Sequence, residues 1–295
     1  MQHIPIIYRG KGIIVVNKPV GVAMHTRSSE HSEGDKLSSH NLHDENTAQT
    51  DNKKQFDNSG RQNEVGLESE HSKERIAERG QKLGIVELLK RQLNVPQLYL
   101  CHRLDTGTSG CLCLTENEHL AAEIGLLFEA RQVSKYYLAL SDKKPKKKQG
   151  LIIGDMKNRR GGQHILLKTT DNPAITQFFS QSAKQGIRGF LLKPHSGKTH
   201  QIRVALKSIG APILGDSLYG GSSADRLYLH AFMLSLPLKS GTLTFTAPLL
   251  EGDEFNDATV KQWLLTVANP DNFAWPALPS RYSHDSSLSA AGQPN

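Results

Sequence analysis

A domain of mixed helix and strand is the fold class this sequence predicts, on three observations. Short apolar runs of strand length recur at 4–8, 13–16, 98–101, 111–114 and 135–140. Two other runs have the helical period instead: Ile85, Leu88, Leu89 and Leu93, then Leu120, Ile124, Leu127 and Phe128. Gly, Pro and Asn punctuate the boundaries between them.

Ile4–Tyr8 and Ile13–Val16 read as two strands joined across Gly10-Lys11-Gly12, a turn that permits a hairpin. Asn17-Lys18-Pro19-Val20-Gly21 then breaks the strand, because Pro removes a donor and Gly allows a reversal. From residue 27 to 82 the chain is dominated by Ser, Glu, His, Asn, Lys and Gln. It is too polar for a core and is expected to be a disordered insertion. Order resumes at Leu83 with the first helix, which Asn94-Val95-Pro96 ends.

Cys111-Leu112-Cys113-Leu114 alternates, so both cysteines share one strand face. Thr115 with Glu118 makes a capping box for a helix ending near Gln132. In the strand Lys135–Leu140, alternation puts Tyr136 and Tyr137 on opposite faces. Lys143, Lys144, Lys146, Lys147 and Lys148 follow in a Pro-containing loop, which reads as a solvated face or a phosphate contact. Further strands fall at 164–168, 174–179 and 188–193. Gly197 to Arg203 opens a helix that Thr199 can cap, with Ile202, Leu206 and Ile209 on the buried stripe and Gly210 at its end. On another face His200, Arg203 and Lys207 form a basic row. A short helix over 258–268 and a C-terminal tail over 269–295, frayed from 280, complete the chain. The division expected is therefore N-terminal strands at 1–26, the insertion at 27–82, the remainder of one domain at 83–268, and the tail.

The 295 residues carry a net charge of +7. Clustered Lys and Arg attract a polyphosphate and release its counterions, so nucleic acid leads among partners. No apolar run reaches membrane-spanning length, and Met1-Gln2-His3-Ile4-Pro5 lacks the start of a secretion signal, so the expected location is the cytoplasm without membrane association. Three cysteines, close together and odd in number, neither staple a fold nor make a zinc site, and no metal or cofactor is expected.

The chemistry concentrates in His102-Arg103-Leu104-Asp105-Thr106-Gly107-Thr108-Ser109-Gly110, one carboxylate set among glycines, hydroxyls and a guanidinium. This stretch resembles the signature of the RluA family of pseudouridine synthases. The resemblance extends in the family's order to Lys18-Pro19-x-Gly21 with His25, to Lys135-x-Tyr137-x-Ala139, to Gly197-Lys198-Thr199-His200-Gln201-Ile202-Arg203 with Lys198 in place of Arg, to Gly215-Asp216-x-x-Tyr219-Gly220, and to Leu229-His230-Ala231. It implies a pseudouridine synthase fold of the α+β class, a largely antiparallel mixed sheet flanked by helices. It also implies conversion of uridine to pseudouridine in structured ribosomal or transfer RNA by a cofactor-free monomer.

The reaction cuts the bond from N1 to C1′, turns the base and rejoins C1′ through C5. The resemblance gives Asp105 the role of nucleophile at C1′ or base at C2′, and either needs an ionised acid, which a nearby cation favours. It pairs Arg203 with Asp105 and selects Tyr137 as the active-site tyrosine. Arg103 is assigned to RNA around the extruded nucleotide, and Leu229 to an apolar wall. His102, Thr108, His200 and Lys18 complete the expected substrate-binding set. Two other classes fit the residues taken alone: a metal-dependent nuclease using Asp105 with His102, His195 and His200, and a non-catalytic RNA-binding protein.

Overall fold

The computed structural model describes residues 2–26 and 83–282. The polar stretch at 27–82 and the tail beyond 282 lie outside the described residues. Strands β1 (Ile6–Gly10) and β2 (Ile13–Lys18) form the expected hairpin, and its two-residue loop has both Lys11 and Gly12 at positive φ, the geometry that matches strand twist. Helix α1 (Ile85–Leu93) buries Ile85, Leu88 and Leu89 and stops where Asn94 turns left-handed. Strand β3 (Tyr99–Leu100) and the loop after it lead into β4 (Ser109–Thr115), helix α2 (Glu118–Glu129) and β5 (Ser134–Ser141). Then come β6 (Gln149–Gly154), β7 (Met156–Asn158), β8 (His164–Leu166), β9 (Ala174–Lys184) and β10 (Ile187–Pro194). Helix α3 (Gln201–Ser208), β11 (Leu229–Leu238), β12 (Gly241–Thr246), a turn of helix α4 (Asp253–Asn256) and helix α5 (Ala258–Thr266) follow.

Ten of the strands form one sheet in the order β1-β2-β4-β11-β5-β10-β9-β6, with β12 beside β11 and β3 beside β4, while β7 and β8 pair separately. Its pairings are antiparallel except the short parallel match of His230 and Ala231 with Ser109 and Gly110. That match joins the strand leaving the Asp105 loop to the strand carrying Leu229. Gly110 has φ 110°, and a Cβ there would stand 2.2 Å from the Ala231 carbonyl oxygen, so only glycine permits the pairing.

Two apolar clusters hold the sheet. One gathers Leu138, Leu140, Phe190, Leu192, Ile202, Leu206, Trp263 and their neighbours, and the other gathers Ile13, Val15, Cys111, Cys113, Ile124, Leu234 and Phe245. Cys111 and Cys113 thus share a buried face as alternation required. Tyr136 is buried and donates to Asp271, and Phe273 and Trp275 pack on the first cluster, so residues 270–276 lie against the core.

The two expected helix caps do not form. Thr115 is still in the β4 ladder, paired with Ile13 and Tyr99, so its hydroxyl donates to the Asn117 carbonyl and Asn117 caps α2 by accepting from Leu120 N–H at 3.1 Å. At α3, His200 takes a left-handed φ of 57° and becomes the N-cap without a side-chain bond. Gln201 turns back instead, its Oε1 accepting from Lys198 N–H and the Ser196 hydroxyl while its amide donates to Ile175 and Thr176.

Candidate active site

The loop between β3 and β4 is held from both sides. Leu104 is buried, Thr108 N–H donates back to the Asp105 carbonyl at 3.0 Å, and the Thr106 carbonyl accepts from Gly21 N–H at 2.9 Å and from Lys18 Nζ at 3.2 Å. Lys18 is wholly buried and also donates to the carbonyls of Pro19 and Val22. It lies under the loop and not in the cavity expected to bind substrate. Burial brings its ammonium down to about 8, with Asp105 opposing the change.

With Leu104 turned inward, Asp105 faces a cavity of about 500 Å³. Its lining includes His102, Arg103, Asp105, Thr108, Tyr137, His200, Arg203 and Leu229, so all the expected site residues except Lys18 meet here. Lys207, the third member of the basic row, is exposed and outside the lining.

Arg203 does not give its fork to Asp105. Nε and Nη2 each donate to Asp216 at 2.8 Å, and the remaining Nη1 faces Asp105 at 3.7 Å. Asp216 is reached because the chain reverses at Gly215, whose φ is 79° and whose hydrogen points at the Arg226 carbonyl, leaving no room for a Cβ. The guanidinium also lies over the Tyr219 ring at 4.9 Å. Burial works against its charge, but the Asp216 bonds outweigh this and hold its pKa above the ordinary value. Asp216 and Tyr219 were legible only as letters of the Gly-Asp-x-x-Tyr-Gly resemblance, with no role attached.

His200 Nε2 stands 4.0 Å from Asp105 on another side, and its Nδ1 lies 2.9 Å from the Tyr219 hydroxyl. That hydroxyl also accepts from His164 N–H, so Tyr219 ties His200 to the strand that carries His164. Burial and Arg203 lower the His200 pKa against the pull of Asp105.

Tyr137 projects into the cavity, with no hydrogen bond to its hydroxyl among the described residues. Burial, then Asp105, push its pKa up, so it stays a phenol at neutral pH. His102 stacks on Phe128 at 4.6 Å and accepts from Cys113 N–H at 3.0 Å, a bond that ties the loop back to β4. Burial and Lys135 hold its pKa down to about 3. Behind the loop, Arg226 donates to the Ser109 hydroxyl at 2.6 Å, Ser109 lies 2.8 Å from His230 Nδ1, and His230 Nε2 lies 3.0 Å from the Ala247 carbonyl. Since a carbonyl only accepts, Nε2 carries the proton and Ser109 donates to Nδ1. Nothing in the spacing of these residues signalled that buried chain.

A carboxylate between a guanidinium and an imidazole, with a phenol and an apolar wall in the same cavity, suits chemistry on a bound nucleoside. Residues 12–208 match the RNA pseudouridylate synthase family. The chain belongs to this family. An uncharacterized RNA pseudouridine synthase of Haemophilus influenzae is 51% identical over 179 residues, which cover 60% of this chain and 80% of that one. The dual-specificity RNA pseudouridine synthase RluA of Escherichia coli is 33% identical over 168 residues, 53% of this chain and 76% of its own. The human RNA pseudouridylate synthase domain containing 1 structure shares the fold, with a TM-score of 0.55 over 90% of this chain and 95% of that one at 21% identity.

The protein is thus an RNA pseudouridine synthase, an isomerase of uridine in RNA, with the α+β fold expected. The nuclease and the non-catalytic binding protein fall away with that membership. His102 and His195 are engaged with Cys113 and Gln177, and no group of His, Cys, Asp or Glu among the described residues is gathered to hold a metal ion. No helix among the described residues is long and apolar enough to cross a membrane.

Proposed function

We propose that Asp105 is the catalytic carboxylate of this pseudouridine synthase, acting at the ribose of a uridine extruded from structured ribosomal or transfer RNA. The observation that carries this reading is its setting. Among the described residues two carboxylates line the cavity: Glu129 is exposed at the end of α2, while Asp105 lies between Arg203 Nη1 and His200 Nε2.

Uridine is isomerised without net oxidation or hydrolysis, so one acid and a means of moving one proton suffice. Asp105 either attacks C1′ as N1 leaves or takes the C2′ proton to form a glycal. The freed base turns, C5 bonds to C1′, and the C5 proton is lost. Arg203 Nη1 and His200 Nε2 flank the carboxylate and orient it toward the ribose. The Tyr137 ring stacks on the base and its free hydroxyl assists loss of the C5 proton. Leu229 and Thr108 wall the nucleoside, and Arg103, exposed at the loop, meets the flanking RNA. His102 and Lys18 act on substrate through the loop they fasten. The enzyme works as a cytoplasmic monomer.

Mapping pseudouridine across ribosomal and transfer RNA from cells with and without the gene tests this. One or a few uridines should lose the modification and regain it with the wild-type gene but not with Asp105→Asn. Restoration by the variant would reject Asp105.

A further inference from the structure

The chemistry above leaves part of the cavity lining without a task. Phe128, Glu129 and Arg131 come from the end of α2 and the turn after it, and Lys135 from β5, two residues before Tyr137 on the same strand face. Lys135 is half-buried, and among the described residues its ammonium has one acceptor, the Ser196 carbonyl at 3.2 Å, with the Phe128 ring 5.8 Å away. Two of its three N–H groups are unspent.

No carboxylate among the described residues pairs with Lys135, and Arg131, a second cation, is its charged neighbour. Arg131 itself stands at φ 58° just past the end of α2, a position that favours glycine, so the chain holds a guanidinium at this lip against backbone preference. Two cations that line one cavity and feel each other's charge, one of them taken out of water, repel each other until an anion comes between them.

We propose that Lys135 and Arg131 form a phosphate site that grips the RNA backbone beside the extruded uridine. The free N–H groups of Lys135 and the Arg131 fork donate to the non-bridging oxygens of one phosphodiester, next to the nucleotide that Asp105 receives. The proposal rests on the reading of the Asp105 cavity as the uridine site.

It has a pH signature. Burial and Arg131 bring the Lys135 ammonium down to about 8 in the free enzyme. The other charged groups lining this part of the cavity are Arg103, Arg131, Glu129 and Lys198, with His102 already neutral far below that range. The phosphate site therefore loses one of its two charges as pH rises through 8.

Filter binding of labelled RNA from cells lacking the gene, between pH 7 and 9.5, tests it. Wild-type affinity should fall about tenfold more across that range than that of Lys135→Arg, the worth of one charge-assisted hydrogen bond, because arginine keeps its charge. Lys18 titrates in the same window in both proteins, so the difference between them isolates Lys135. At pH 7, Lys135→Gln and Arg131→Gln should each bind more weakly and each reduce the slope of log affinity against log salt by about 0.7. Identical pH profiles for wild type and Lys135→Arg, or unchanged affinity and salt slope for both Gln variants, would overturn the proposal. The binding readout does not depend on turnover, so a failure of Asp105 as catalyst shows separately, as pseudouridine formed without it.

Discussion

Arg203 presents Nη1 to the Asp105 carboxylate at 3.7 Å while its fork is fully taken by Asp216. The guanidinium is thus fixed before substrate arrives, and Asp105 sees a cation that cannot swing away. Arg203→Lys keeps a charge but cannot hold Asp216 with two parallel bonds. Turnover should drop at least about tenfold, the loss of one aligned charged hydrogen bond. Single-turnover kinetics on unmodified RNA will read it, and wild-type rates would remove the need for the fork.

Arg203→Met has a different outcome. Asp216 has a fully buried side chain, and removal of its partner leaves an uncompensated charge at a cost of about 3–5 kcal/mol. Urea unfolding should show that loss together with lost turnover, and Arg203→Met with Asp216→Asn should regain part of the stability but no activity.

Tyr136 and Tyr137 separate stability from catalysis. Tyr136→Phe removes the bond to Asp271 and should cost about 1 kcal/mol in unfolding free energy while turnover persists. Tyr137→Phe removes a hydroxyl without a hydrogen-bond partner among the described residues, so stability should hold while turnover falls steeply and RNA binding remains. Equal turnover in the two variants would contradict the assignment of Tyr137.

Stability should fall in mild acid. His230 is held down to about 4 by burial and His102 to about 3 by burial and Lys135. Both native values are depressed, so the unfolded chain gains protons first. The stabilisation is complete above the unfolded imidazole value, about 6.5, and is lost as pH falls toward 4 for His230 and 3 for His102. His230 alone accounts for roughly 3 kcal/mol by pH 4. Unfolding free energy followed from pH 6.5 to 5 should fall by roughly 1 kcal/mol per pH unit more in wild type than in His230→Gln. Parallel slopes would mean that His230 gains its proton as readily in the fold as in the unfolded chain.

The Asp105 loop, the opposite facing of Tyr136 and Tyr137, and the hairpin at 6–18 were legible because each depends on local order: a short motif, a period of two, a Lys-Gly turn. Strands β6, β11 and β12 were not assigned from sequence. Their pairing with distant strands, such as Met233 with Thr246 and Ile152 with Thr176, decides them more than their own composition. The caps at Thr115 and Thr199 were misread because the preceding backbone was already committed, to the β4 ladder in one case and to a left-handed His200 in the other. The Arg203 pairing was half visible: a cation on α3 reaches Asp105, but the closer acid arrives from a reversal at Gly215 that no periodicity announces.

The proposed chemistry rests on the Asp105 carboxylate. Release of tritium from RNA labelled at uridine C5 measures it directly, with purified wild-type and Asp105→Asn enzyme on RNA from cells lacking the gene. Wild type should release tritium and form an equal amount of pseudouridine, while Asp105→Asn, with an unchanged unfolding midpoint and RNA affinity within a few-fold, should release none above background. Pseudouridine formed by Asp105→Asn at a rate comparable to wild type would contradict the account.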